Sequence, residues 1–325
     1  MWLFLLTLFT VALISACTNS AINHTSVLTP KPLSVSCRIV QHAIGETCIP
    51  NNPKRVITVS RTLLSNALAL GVKPIGSSVW GIEELRTFLS DKSFLGDKVE
   101  EIASVGQLFN INLEKILQLE PDLILAWEPA VEAVYPLLSQ IAPTVAFSFD
   151  DLVENWKEAF TITAKVLNRE AEAQQVWNHY NQQIKDLKAA IGNRYKDKTI
   201  SVAGIYDNGR RAYTYAKNSF IGSIFEELDL QRPPAQNISI DGGSIEAISE
   251  ERLELLDGDI LFILASEFGH TEAYKSLKQK PLWKKLNAVQ NGRVYLVDIF
   301  AWTTESPLAA DAVFDNLYKY LVNPP

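Results

Sequence analysis

The sequence predicts an α/β protein: two Rossmann-like lobes bridged by one long α-helix. Three observations carry this. Short β-rich apolar runs alternate with helical patterns between residues 55 and 149. Leu152 to Ile191 then passes forty residues without a Gly or Pro. After residue 199 the strand–helix alternation resumes. Such alternation means βαβ units and mostly parallel sheets.

In the first lobe the expected strands are Arg55 to Ser60, Pro74 to Val79, Leu123 to Trp127 and Thr144 to Phe149. The helices between them are Thr62 to Leu70, Leu113 to Leu119 and Val131 to Ile141. Pro121 ends one helix before the strand that follows, as its missing N–H requires. Apolar residues from Phe160 to Leu187 recur at helical spacing, so the middle stretch reads as a helix about 60 Å long at 1.5 Å per residue, with a break expected near Asn168-Arg169. The second lobe has strands Thr199 to Tyr206, Asp259 to Ser266 and Arg293 to Asp298. Its helices are Ser219 to Leu228, Ser249 to Leu256, Thr271 to Leu277 and Leu308 to Val322. An internal echo links the lobes: Leu113-Glu-Lys-Ile-Leu-Gln-Leu-Glu-Pro-Asp-Leu-Ile-Leu125 against Leu253-Glu-Leu-Leu-Asp-Gly-Asp-Ile-Leu261. The expected layout is a leader over 1–16, a tether over 17–36, lobes over 37–150 and 193–325, and the bridging helix over 151–192.

Composition narrows the function. The 325 residues carry a net charge of −7, which argues against non-specific nucleic-acid binding. The one apolar run near membrane length is at the extreme N-terminus, which excludes a polytopic membrane protein. That run, Trp2 to Ala16, reads as an export signal, with a membrane anchor and a buried first helix as rivals. Ile14-Ser15-Ala16-Cys17 resembles a bacterial lipobox, a resemblance that implies cleavage before Cys17 and lipidation there. Cys37 and Cys48 flank a segment with a turn signal at Gly45. In an oxidising compartment they favour a disulfide across a hairpin; two free thiols or a soft metal site are the rival reading.

Catalytic signatures are missing. There is no phosphate-binding G-x-x-x-x-G-K-[ST], no G-x-G-x-x-G after a strand, no G-x-S-x-G and no H-E-x-x-H. The four histidines are dispersed, and only His270 falls in a strand-to-helix loop. What stands at the carboxyl ends of the strands is aromatic and basic: Arg61, Trp80, Trp127, Arg211, Tyr213, Tyr215 and Trp302. Ligands of open α/β sheets sit at those ends. Tryptophan and tyrosine offer rigid walls, and arginine a planar fork for carboxylates.

The sequence resembles a known family at several places in order: Asn52-Pro-Lys-Arg-Val-Ile-Thr-Val-Ser60, Ala67-Leu-Ala-Leu-Gly-Val-Lys-Pro-Ile-Gly76, Glu120-Pro-Asp-Leu-Ile-Leu125, Asn218-Ser-Phe-Ile-Gly222 and Gly292-Arg-Val-Tyr295. These are similar to the class III (helical-backbone) substrate-binding proteins of ABC importers for ferric siderophores, with vitamin B12 binders as relatives. The resemblance implies a non-enzymatic, lipid-anchored extracytoplasmic receptor, monomeric, with no cofactor beyond the iron its ligand carries. It would capture a ferric siderophore, anionic in character, in a shallow cleft and deliver it to the permease and ATPase subunits. Arg211 and Tyr213 match an Arg-x-Tyr pattern that faces the cleft, and Trp302 a frequent aromatic after the last strand; Tyr206-Asp207 stands where many relatives carry a further Arg. Glu114 and Glu251 match one docking glutamate per lobe, with Glu250 adjacent to the second. The rival functions are a cobalamin or haem receptor, and an enzyme acting on small anions.

Overall fold

The computed structural model describes residues 37–79, 94–265 and 270–324. The leader, Cys17, the tether and Trp80 lie outside the described residues.

The first lobe opens with a hairpin, β1 (Cys37–His42) and β2 (Gly45–Pro50). Gly45 closes the turn at φ 145°, a conformation that side chains disfavour. The disulfide between Cys37 and Cys48 forms across this hairpin, with Cα atoms 5.5 Å apart. The hairpin lies on a six-stranded sheet through Ala43 N–H to the Ala146 carbonyl (3.0 Å) and the Thr47 hydroxyl to the Thr144 carbonyl (3.1 Å). That sheet comprises β3 (Val56–Val59), β4 (Gly76–Val79), β5 (Ala103–Gln107), β6 (Asn110–Ile111), β7 (Leu123–Trp127) and β8 (Thr144–Phe147). Its order is β6-β5-β4-β3-β7-β8, parallel except for β6. β3 and β8 are buried along their whole length, as parallel strands covered on both faces are.

The helices of this lobe are α1 (Arg61–Ala69), α2 (Leu113–Gln118) and α3 (Tyr135–Ile141). Ser60 caps α1 by accepting from the N–H of Thr62, and Asn112 caps α2 by accepting from Lys115. The helix expected over Val131 to Ile141 is a chain of helical turns, α-helical at Glu128–Val131 and 3₁₀ at Glu132–Val134, before the regular helix from Tyr135, where Pro136 fits the first turn.

The bridging helix expected over 151–192, with a break near Asn168-Arg169, is two helices that part at those residues. A π-helical turn at Asp150–Glu154 leads into α4 (Trp156–Leu167), and α5 (Glu170–Ile191) follows. Asn168 sits between them in the left-handed conformation (φ 56°, ψ 52°), which Asn tolerates better than most residues. α5 is then about 33 Å long, at 1.5 Å for each of its 22 residues. Its fully buried side chains Ala173, Tyr180 and Leu187 recur every seven residues. Trp156, Phe160, Trp177, Tyr180, Phe220 and Phe314 pack edge-on or tilted, with ring centroids 5.1–5.7 Å apart. This aromatic cluster joins α4 and α5 to the second lobe.

The second sheet comprises β9 (Ile200–Tyr206), β10 (Arg211–Tyr215), β11 (Ser244–Ser249), β12 (Ile260–Ala265) and β13 (Val294–Asp298), in the order β11-β10-β9-β12-β13. The pairs β9–β12 and β12–β13 are parallel; β10 and β11 add antiparallel strands at one edge. Its helices are α6 (Phe220–Glu227), α7 (His270–Leu277), α8 (Ile299–Thr303) and α9 (Pro307–Leu317). The helix expected over Ser249 to Leu256 is a correction: the segment is the end of β11, a turn, and one 3₁₀ turn at Leu253–Leu256. The echo between the lobes is real at the strand starts. Asp122, before β7, accepts from the N–H groups of Lys54 and Arg55 leading into β3. Asp259, before β12, accepts from the N–H of Thr199 leading into β9.

Candidate functional site

The candidate site lies where the carboxyl end of the first sheet, through α1, meets the α8–α9 junction. Arg61 opens α1, immediately after β3, and is partly buried. Its Nη2 donates to the carbonyl oxygen (2.8 Å) and hydroxyl (3.1 Å) of Thr303 at the end of α8. Thr62 donates to Glu305 (2.9 Å), and Ser65 and Ser306 share a hydroxyl–hydroxyl bond of 2.7 Å. One face of α1 is therefore stitched to the α8–α9 junction. A pocket of about 200 Å³ opens beside Arg61, walled by Trp127, Phe149, Leu108 and Leu152, with Glu305 at its polar edge. Trp127 carries Phe109 edge-on at 5.8 Å and Phe149 at 6.2 Å. Phe109 is 57% and Phe149 39% exposed, so this lobe presents an aromatic surface to solvent.

Arg211, Tyr213 and Tyr215 do not lie in a loop after β9. They form β10 itself, and the two-residue period of a strand places all three on one face. Tyr213 and Tyr215 meet edge-on at 5.7 Å, and Tyr206 lies 6.1 Å from Tyr213. Tyr213 pairs across the ladder with Gly204. The ring covers that glycine so closely that a Cβ there would lie 2.0 Å from Cζ. Burial pushes the Tyr213 and Tyr215 hydroxyls up; the field of Arg61 opposes this at both. Burial also raises the Glu305 carboxyl, again opposed by Arg61. Arg61 thus acts electrostatically on the tyrosine face of one lobe and on the pocket of the other. Arg211 is exposed and enters no ion pair with a described residue.

Trp302 is a correction. It is fully buried, packs at a tilt against Phe262 with ring centroids 4.8 Å apart and donates its indole N–H to Asn316 (3.1 Å). It lies within α8, where Phe300, Ala301 and Trp302 are all buried; a helix apolar all round belongs to the core. It packs inside the second lobe and walls no cleft. Among the described residues no group of three His, Cys, Asp or Glu is placed to hold a metal ion. His270 is the first residue of α7.

Glu114 is exposed in the first turn of α2. Because Asn112 already supplies the cap, that carboxylate is free to face outward. Glu251 is exposed in the turn after β11, while Glu250 is half-buried and paired with Lys280 at 2.6 Å.

With the arrangement established, a family model described as periplasmic binding protein matches residues 56–299. The chain belongs to that family. This periplasmic binding protein is 30% identical over 327 residues to the probable siderophore-binding lipoprotein YfiY of Bacillus subtilis, covering 97% of this chain and 96% of the relative. It is also 30% identical over 292 residues to the Fe(3+)-citrate-binding protein YfmC of B. subtilis, with 90% and 87% covered. Its fold superimposes on Staphylococcus aureus SirA complexed with staphyloferrin B with a TM-score of 0.72 at 28% identity, covering 86% of this chain and 97% of SirA. The mixed α/β, two-lobe architecture read from the sequence is that of these solved binding proteins.

Four residues that pattern reasoning missed line or border this candidate site: Phe149 and Glu305 on the pocket wall, Phe109 against Trp127 and Thr303 against Arg61. Phe149 carried a signal, since it follows β8 at the same sheet end as Trp127. Glu305 carried none; its place depends on α8 and α9 folding back onto α1.

Proposed function

We propose that the protein is an extracytoplasmic receptor that captures a ferric siderophore and delivers it to an ABC permease for iron uptake. The observation that carries this is the position of Arg61 in the wall of the aromatic pocket beside Trp127 and Phe149, bonded across to Thr303. A cation framed by aromatic walls suits a chelate with anionic oxygens on an apolar frame. The names of relatives support the class: siderophore, ferric citrate, and iron(3+)-hydroxamate binding. The iron would arrive already coordinated, so the protein needs no ligands of its own. Ligand contacts are assigned to Arg61, Trp80, Trp127, Arg211, Tyr213 and Tyr215, and docking to Glu114 and Glu251. Cleavage before Cys17 and lipidation would tether the receptor to a membrane, in line with relatives named as lipoproteins; mass spectrometry of the mature N-terminus checks that step.

The test is titration of the purified protein with ferric citrate, a ferric hydroxamate, haem and cobalamin, read by quenching of tryptophan fluorescence. Saturable quenching by a ferric chelate, and none by cobalamin or haem, is expected. Saturation by cobalamin or haem alone would overturn the reading.

A further inference from the structure

The pocket wall of Phe149, Leu152 and Val153 is one short segment, and it is held from the opposite lobe. It runs from the end of β8 through the π-helical turn Asp150–Glu154. Leu152 anchors it in the core of the first lobe. At its far end the carboxylate of Glu154 accepts from the N–H of Gly242 (2.8 Å), in the second-lobe turn Asp241–Gly243. Glu154 enters no ion pair among the described residues, so its carboxylate is committed to this bond. Gly242 takes φ 76°, a conformation open to glycine, and it also approaches the wall itself. A Cβ there would lie 3.9 Å from Phe149 Cζ, in ordinary contact.

The turn is braced from its own lobe. Asn218 donates to the Ile240 carbonyl (2.9 Å) and accepts from the Ile240 N–H (3.2 Å). The Gly243 carbonyl accepts from the N–H of Ala216 (2.8 Å). Ser244, next along the chain, pairs with Tyr215 where β11 meets β10. A continuous path of bonds and contacts therefore runs from Phe149 through Glu154 and Gly242 to Tyr215, the end of the tyrosine strand. We propose that Glu154 is a positioning residue for ligand binding: its bond to Gly242 fixes the aromatic wall of the first lobe relative to β10 of the second. A carboxylate accepting from an N–H makes a charge-assisted bond, stronger than a neutral one, and both partners are half-buried. The inference rests on the receptor reading, because it makes the two surfaces parts of one ligand site. Two residues on, Trp156 donates to Ser223 of α6 (3.1 Å), so α4 stays attached to the second lobe when the Glu154 bond is removed.

Glu154→Ala removes the acceptor, and Glu154→Gln keeps an acceptor oxygen without the charge. With no ligand present, hydrogen exchange over 149–154 and at the Gly242 amide should be faster in Glu154→Ala and close to wild type in Glu154→Gln. Ferric citrate and ferrioxamine B are then titrated by tryptophan quenching, with dissociation followed by stopped flow. Glu154→Ala should weaken the chelate that binds the wild type about five- to tenfold, mostly through faster dissociation. Glu154→Gln should stay within about threefold. Asn218→Ala, which loosens the turn from its own side, should act in the same direction, and the double variant should lose less than the product of the two single losses. A purely structural bond would lower the denaturation midpoint and leave the affinity of the folded protein unchanged. That outcome, or wild-type exchange over 149–154 in Glu154→Ala, would overturn the inference while the receptor reading stands. Absence of saturable quenching of the wild type by any ferric chelate would instead defeat the receptor reading, and the ligand role of Glu154 with it.

Discussion

The ring of Tyr213 occupies the space that a side chain at Gly204 would need: a Cβ built there would lie 2.0 Å from ring carbon Cζ. The two residues are direct partners on β10 and β9, so the glycine in the buried strand fixes the position of the tyrosine on the candidate ligand face. Gly204→Ala should cost about 1–3 kcal/mol, as overpacking does, and should weaken ferric-chelate binding by displacing Tyr213. Chemical denaturation and fluorescence titration read the two effects. Wild-type stability together with wild-type affinity would show that the ring moves aside freely and matters little.

Arg61→Ala and Arg211→Ala should each weaken an anionic ferric chelate by about 1.5–3 kcal/mol where the bond is partly desolvated. They should differ in stability. Arg61 also holds Thr303, so its loss should lower the denaturation midpoint. Arg211 is exposed and outside any described ion pair, and Arg211→Ala should change stability by less than about 0.5 kcal/mol. If neither substitution alters affinity for any anionic chelate, the ligand is neutral.

Glu114→Arg combined with Glu251→Arg should abolish ligand-stimulated ATP hydrolysis by the reconstituted transporter. Siderophore affinity of the free receptor should stay within about threefold, since exposed surface charges act weakly at a distance. Undiminished hydrolysis would refute the docking role, and so would loss of ligand binding alongside it.

Removing the hairpin disulfide by Cys37→Ser and Cys48→Ser should lower stability by about 2–4 kcal/mol, as is typical for such a bridge. Chelate affinity should not change, because the hairpin contacts β8 and not the pocket. A drop in affinity at full folding would assign the hairpin a part in binding.

Burial raises the Asp311 carboxyl to about 6, offset in part by His179, with Asp315 adding like charge. Its oxygen lies 3.8 Å from His179 Nε2. Because the folded value exceeds the ordinary 3.8, the native state holds this proton more tightly than the unfolded chain does. Stability from the group is present below about pH 4 and lost as pH rises through about 6. Asp311→Asn should therefore stabilise the protein by about 1 kcal/mol at pH 8, a modest figure because the side chain is 35% exposed. At pH 4 the gain should vanish. A destabilised variant at pH 8 would mean the His179 contact outweighs burial.

Much of this architecture is legible in the chain, and the failures have physical causes. β3, β7 and β12 are short apolar runs buried on both faces, and they stand where the pattern places them. β10 was hidden because Arg-Ala-Tyr-Thr-Tyr is half polar and its alternation shows only once β9 and β11 flank it. The segment after β11 has Leu-Glu-Leu-Leu, enough for one 3₁₀ turn and too short for a helix. Trp302 misled because its distance from β13 in sequence is that of a rim residue, while α8 turns it inward. The placement of Arg61 and Trp127 at strand ends was readable from the pattern alone; Glu305 reaches Thr62 from 243 residues along the chain.

The stitching of α1 to the α8–α9 junction bears on how cargo leaves. Arg61–Thr303, Thr62–Glu305 and Ser65–Ser306 tie α1 to the second lobe, and Glu154 accepts from Gly242 N–H (2.8 Å). Under the proposed function, capture needs little more than encounter, so a tight complex has a long residence time. Unloading is then work done on the receptor from outside: the docked machine must prise these bonds apart, and their combined strength sets the force it has to supply.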